Sequence, residues 1–270
     1  MQLSAVLASQ FVLPSIPKTV ALLLSELERD EPDLKRINQL ISVDPALAIR
    51  LLQLSNSGFF KLSGRVNSVS ESLAVVGLGH VRTMATASAT KASLKAVVGI
   101  NLQQYWSYSL DVAKVSRSLA GVVRQNQQAA FTAGLLHYVG ELVMRLVMPG
   151  QMAKLDAELP ALDARRAKAE RKVFGFHHAD VGAGLARQWL FPEPIVDALE
   201  HQDAPFLENA YEPLAGVLHL AAWCARCKDA GLNQREMAVT FPGAVGDVLS
   251  LDIDMVLQQD PIDWTNPHSR

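Results

Sequence analysis

Apolar residues recur at helical spacing along most of this chain, and that spacing limits the fold more than any other feature. Val20, Leu23, Leu24 and Leu27 fall at i, i+3, i+4 and i+7, one face of an α-helix. Leu34, Ile37, Leu40 and Ile41 repeat the pattern behind Asp33, which reads as an N-cap. Asp44-Pro45 reads as N-cap followed by proline at N1, where the missing N–H costs nothing. That helix carries Leu47, Leu51 and Leu54 and ends at Asn56-Ser57-Gly58. Ser68 and Glu71 have capping-box spacing before an apolar run punctuated by Gly77 and Gly79. A small-residue stretch, Thr83 to Ala96, predicts a further helix, broken by Gly99 and Asn101.

Trp106, Leu110, Ala113, Leu119 and Val123 continue the stripe. Phe131 to Val147 is more apolar and reads as central, with Pro149-Gly150 as its stop. Ala164 to Phe174 predicts a charged amphipathic helix, and Val181, Leu185 and Trp189 form a stripe of their own. Ile195 and Leu199 start another stripe, and Leu214 to Cys227 reads as the last long buried helix. No strand series and no fixed-period repeat stands out. The expectation is an all-α, multi-helix bundle in two closely packed halves, 1–99 and 100–270, with a weak boundary near Gly99 and a loose tail from Asp260 to Arg270.

Composition narrows the function classes. Apolar residues make up 49% of the 270, but only 6% are aromatic, so Leu, Val and Ala must supply the core. A net charge of -2 gives no support for broad binding to nucleic-acid backbones. The two cysteines, Cys224 and Cys227, are too few for a disulfide framework. No Lys or Arg precedes Lys18, so a positive secretory leader is not expected. The most apolar stretch, Ala133 to Met148, is interrupted by His137, Glu141 and Arg145. A cytoplasmic protein without a membrane span is the expectation. Neither a glycine-rich phosphate loop nor a GxSxG nucleophile motif occurs.

Two local patterns have bland readings beside chemical ones. Cys224-x-x-Cys227 has redox or half-zinc spacing but sits inside a helix, with only His219 near enough to join it. Buried thiols acting as small apolar groups are the simpler reading. The basic run Ala164 to Lys172 fits an anion-binding patch or, more simply, a solvated helix face with Glu170 pairing its neighbours.

A family resemblance rests on several motifs in order. Leu13-Pro14-Ser15-Ile16-Pro17, Asp44-Pro45-Ala46-Leu47, Arg50-Leu51-Leu52, Leu54 to Phe60, and Ser68-Val69 through Gly79 follow one another. Later come Gly134-Leu135-Leu136-His137-Tyr138-Val139-Gly140-Glu141-Leu142 and Phe174-Gly175-Phe176-His177-His178-Ala179-Asp180-Val181-Gly182. Over residues 11 to 225 this succession resembles the HDOD domains, the HD-related output domains of bacteria. The resemblance implies an all-α HD-domain-like bundle and a signalling role, often near two-component and cyclic di-GMP pathways, generally without hydrolase activity.

HD hydrolases hold metal with a His from an early helix, an adjacent His-Asp pair and an Asp from a late helix; the ion activates water and polarises a phosphoryl oxygen. Carried onto this chain, those positions hold Tyr108, His137-Tyr138 and Ala222. One ligand of the basic set survives. Glu141 stands where active relatives often carry Lys. His178 and His201 resemble extra histidines of the HD-GYP branch and, with His137 and His219, form a low-odds alternative metal set. The resulting expectation is a non-catalytic module with no cofactor that acts by protein–protein contact with signalling proteins, Phe59 and Phe60 being the candidate contact residues. The alternatives are a metal-dependent phosphohydrolase on nucleotides or cyclic dinucleotides with a His-rich site, and a nucleotide sensor without catalysis.

Overall fold

The structure is a computed structural model that describes residues 1–60, 62, 64–92, 97, 99–206 and 212–262. Helices are the only regular structure among the described residues. The first group is α1 (Leu3–Leu7), α2 (Pro17–Leu27), α3 (Leu34–Ser42), α4 (Pro45–Asn56) and α5 (Val69–Ala92). The second runs α6 (Leu102–Val122), α7 (Gln127–Leu136), α8 (Val139–Val147), α9 (Pro149–Glu158), α10 (Arg166–Phe174), α11 (His178–Gln188), α12 (Glu193–His201) and α13 (Pro213–Asp229). Three short helices close the chain: α14 (Gln234–Thr240), α15 (Gly243–Leu249) and α16 (Ile253–Gln258). The loose tail expected to Arg270 lies outside the described residues from 263 onward, as do residues 93–96 of the small-residue stretch.

The helix starts follow their caps. Asp33 accepts from the backbone N–H groups of Lys35 and Arg36. Buried Asp44 accepts from Leu47 N at 3.0 Å and also from Ile16 N at 2.6 Å, so one carboxylate caps α4 and fixes the entry to α2. The box at Ser68 is displaced: Ser68 accepts from Glu71 N, but Glu71 bonds Asn67 N, one residue earlier than predicted. The helix behind it continues through both glycines as α5, bent where Gly77 takes φ 73°.

Two expectations need correcting. Phe131 to Val147 is not one helix; it breaks at His137-Tyr138 between α7 and α8. Pro149-Gly150 does not end a helix into a loop. Pro149 occupies N1 of α9, where its missing N–H would be unsatisfied anyway.

Two apolar clusters form the interior. The smaller gathers Val20, Leu23, Leu27, Ile37, Ile41 and Leu47 between α2, α3, α4 and α5. The larger is built around α6, α7, α8, α11, α12 and α13. Membership crosses residue 99 both ways: Val6, Ile49 and Leu52 belong to the larger cluster, Ala113 and Leu135 to the smaller.

One close approach positions the site. A Cβ on Gly140 would lie 1.9 Å from His178 O and 2.8 Å from Gly182 N, so glycine lets α8 and α11 meet backbone to backbone. His137 and Tyr138 directly precede α8, and His178 opens α11; the contact therefore brings them together. The stretch Gln127–Val147 has the length and composition of a membrane span, but 83% of its most apolar window is buried inside the protein.

Candidate functional site

A cavity of about 310 Å³ lies where α6, α10, α11 and α13 converge on the α7–α8 break. Tyr108 comes from α6, His137 and Tyr138 from the break, Lys168 and Arg171 from α10, and His219, Ala222 and Arg226 from α13. The structure thus brings Tyr108, His137, Tyr138, His178, His219 and Ala222 to one cavity, while His201 is not among its lining residues. His201 instead turns its Nδ1 back to Asp197 O, at 2.9 Å.

The walls are rings. Tyr108 lies with its centroid 5.3 Å from His137 and 6.2 Å from Tyr138. His137 and Tyr138 stack at 5.6 Å, and Tyr138 meets His178 edge-on at 4.8 Å. The Tyr138 hydroxyl donates to Ala161 O, Tyr105 donates to Tyr138 O, and the Tyr108 hydroxyl lies 3.4 Å from Ala222 O. Burial holds the phenols of Tyr108 and Tyr138 above their ordinary range, so both stay neutral.

The imidazoles divide by partner. His137 Nδ1 sits 2.7 Å from Gly134 O, and His219 Nδ1 2.7 Å from Gln202 O. A carbonyl only accepts, so each Nδ1 carries the proton and each Nε2 presents a lone pair. Burial pushes His137 down to about 3 and also lowers His219. His137 Nε2 has no hydrogen-bond partner among the described residues. Gln202 braces both rings, since its Nε2 donates to His137 O at 2.9 Å while its carbonyl receives His219. His178 behaves oppositely: burial alone would lower it, but Glu170 at 2.8 Å and Asp203 at 3.6 Å raise it to about 9.

Beneath this layer lies a buried ion-pair network. Glu141 accepts from Arg145 at 2.7 Å and from Arg166 at 3.0 Å. Arg166 also reaches Glu170, Asp156 and Leu159 O. Arg166 is 1% exposed, which corrects the reading of its helix as a solvated basic face; only part of that run, including Lys168 and Arg171, faces solvent. Burial and the charge of Glu170 raise Glu141, while His178 holds Glu170 well below the usual carboxylate range.

Glu141, Glu170 and His178 form the only His/Cys/Asp/Glu trio among the described residues whose ligand atoms lie within 4.8 Å of one another. A cation there would have to displace the two guanidiniums that already neutralise it. The four imidazoles His137, His178, His201 and His219 do not gather at ligand distance. The cysteines are buried free thiols; burial pushes Cys224 up to about 12 and raises Cys227 too.

The comparisons with known proteins follow this geometry. The family model for the HDOD domain matches residues 13–205. The chain belongs to the HDOD family. The HDOD chain is 26% identical over 220 residues to an uncharacterised protein of Treponema pallidum (strain Nichols), covering 80% of this chain and 43% of that one. It therefore spans less than half of that relative's length. Among solved structures it is similar to the response regulator MmoQ of Methylococcus capsulatus str. Bath, at TM-score 0.74 and 25% identity, with 93% of this chain and 98% of that chain covered. A phosphohydrolase-like protein of Shewanella amazonensis SB2B matches at TM-score 0.55 and 27% identity, with 93% and 91% covered.

Sequence reasoning did not single out Arg166, His177, Gln202, Asp203 or Arg226 as lining the cavity. His177 carried one signal, its place three residues before Asp180: the two close a reciprocal N-cap on α11. Phe59 and Phe60, held as a pair, divide. Phe60 packs on the smaller cluster while Phe59 is 70% exposed, both edge-on to His80 at 5.7 and 5.8 Å.

Proposed function

We propose that this HDOD chain is a non-catalytic regulatory module that acts by contact with a partner protein in a signalling pathway. One observation carries the reading. The positions corresponding to the HD ligand set meet at one cavity, yet they supply two neutral phenols and a methyl group beside a single histidine. Neither a phenol held neutral nor an alanine binds a divalent ion, and metal-assisted hydrolysis needs one. The nearby carboxylates offer no substitute, being tied to Arg145 and Arg166. The likeness to a response regulator agrees with a signalling role, and exposed Phe59, with Leu62 beside it in sequence, is the candidate contact.

Elemental mass spectrometry of protein purified without chelator tests this. Manganese, iron and zinc far below one ion per chain are expected. About one ion per chain, lost in His137→Ala together with phosphohydrolase turnover, would overturn the reading in favour of the His-rich hydrolase.

A further inference from the structure

The cavity keeps features that a merely filled-in active site would not need. His137 is 2% exposed, lines the cavity and has an Nε2 lone pair with no partner among the described residues. An unsatisfied buried acceptor is costly, and native proteins rarely retain one without a ligand, water or role to explain it. His219, on the opposite wall, presents the same bare nitrogen because its Nδ1 is also committed to a carbonyl. The inner end therefore asks for hydrogen-bond donors. It disfavours phosphate oxygens, which would meet lone pairs and neutral rings. The charge on His178 is already matched by Glu170 and Asp203.

The outer end has the opposite character. Lys168 and Arg171 stand at i and i+3 on α10, hence on one face, and Arg226 approaches from α13. The acidic residues of the rim are occupied elsewhere: Asp163 is held by Arg165 at 2.8 Å, and Asp203 faces His177 and His178. Arg171 has Asp180 at 3.4 Å but remains 60% exposed. Between the two ends the walls are the rings of Tyr108 and Tyr138. A volume of about 310 Å³ is at the lower limit of roughly 300–1,000 Å³ for ligand pockets, which suits one nucleotide unit rather than two.

We propose that the cavity binds a nucleoside monophosphate head first, the N–H edge of its base against His137 and His219, its phosphate at the rim by Lys168, Arg171 and Arg226. This orientation puts the phosphate at the mouth, away from the position corresponding to the metal centre of HD hydrolases, and so requires no hydrolysis. The site stands apart from the protein-contact reading. A chain that binds no nucleotide can still bind a partner; a chain that cleaves the nucleotide loses its non-catalytic reading and keeps its site.

The test is calorimetric titration of the full chain with the four common nucleoside 5′-monophosphates, adenosine, inorganic phosphate and purine riboside 5′-monophosphate, which lacks the amine of AMP. At least one nucleotide is expected to bind, and inorganic phosphate to bind much more weakly. If AMP is that ligand, the amine-free analogue should lose roughly tenfold, about 1.4 kcal/mol, because a buried acceptor goes unpaired. Replacing Lys168 and Arg171 together by Ala, both at the solvent-facing rim, should weaken the nucleotide and leave the nucleoside unchanged. Nitrogen-15 NMR of the histidines reads the inner end directly, with no variant that could unfold: the bare Nε2 resonance of His137 should move on saturation. Failure of all four nucleotides at millimolar concentration, phosphate binding as tight as any nucleotide, or an unmoved His137 Nε2 each overturns the proposal.

Discussion

His137 and His178 line one cavity in opposite charge states, and the reason is partner chemistry rather than depth. Both are buried; His137 faces a carbonyl and is pushed down to about 3, while His178 faces carboxylates and is raised to about 9. Between pH 6.5 and 9 the folded chain keeps the His178 proton that the unfolded chain releases, so stability is full below 6.5 and is lost as pH rises through 9. Glu141, also raised, holds its proton beyond the ordinary carboxylate range and pushes the same way. On the acid side His137 and His219 lose stability as pH falls, because the unfolded chain takes protons that they refuse. Asp44, raised to about 6, partly offsets them. The alkaline limb is thus the clearer one. Urea midpoints should fall steadily from pH 6.5 to 9, and the fall should shrink in His178→Phe; a flat midpoint over that range would contradict the His178–Glu170 pairing. Little of this was legible in the sequence. The Tyr108, Tyr138 and Ala222 positions stood out against a family pattern, but Arg166 looked like one member of a basic run. Its carboxylate partner Glu141 lies 25 residues away, a separation that periodicity does not report.

The joint between α8 and α11 depends on two glycines with different duties. Gly140 stands where a Cβ would enter the His178 carbonyl region at 1.9 Å, whereas a Cβ on Gly182 would find its nearest neighbours at 3.8 and 3.9 Å. Gly140→Ala must separate the helices and move His178 away from Tyr138, at a cost of about 1–3 kcal/mol or more. Gly182→Ala meets only ordinary contact in a helix interior, where alanine is favoured over glycine by up to about 1 kcal/mol. Denaturant midpoints should therefore shift in opposite directions, or Gly182→Ala should be near neutral; equal losses would show that the helices do not meet as described. Helix existence and most N-caps were readable because caps and stripes are local. The breaks were less so. Gly77 was visible as punctuation, but whether a glycine ends a helix or bends it depends on packing at both sides. Pro149 resembled a stop because proline both opens and terminates helices, and only the position of Met148 decides between them. The His137-Tyr138 break carries no helix-breaking residue at all; tertiary contacts impose it.

At the scale of the whole molecule the question is whether the two apolar clusters are separate folding units. The sequence boundary near Gly99 separates a Leu-rich segment from the rest, yet side chains cross it in both directions. Val6 of α1 is fully buried in the larger cluster, and Leu7 packs so closely on α11 that a Cβ on Gly184 would lie 2.7 Å from it. Helix α4 faces both clusters at once, with Leu47 and Leu51 in one and Ile49 and Leu52 in the other. Unfolding the N-terminal helices alone would expose the Ile49 and Leu52 side of the larger cluster, at roughly 1.5–3 kcal/mol for each large apolar side chain stripped of its cover. The two clusters should therefore melt together. Trp106 and Trp223 report only the larger cluster, since no tryptophan occurs in residues 1–99, while far-UV circular dichroism reports every helix. Coincident urea transitions by tryptophan fluorescence and circular dichroism are the expected result. An early loss of helical signal at constant fluorescence would instead mean that α2, α3 and α5 open while the cavity wall stays intact, and that the boundary near Gly99 marks a mechanical division after all. That outcome would bear on signalling too, because the exposed Phe59 and the cavity sit on opposite sides of this division, and a chain that unfolds as one unit can couple them only through α4 and its shared packing.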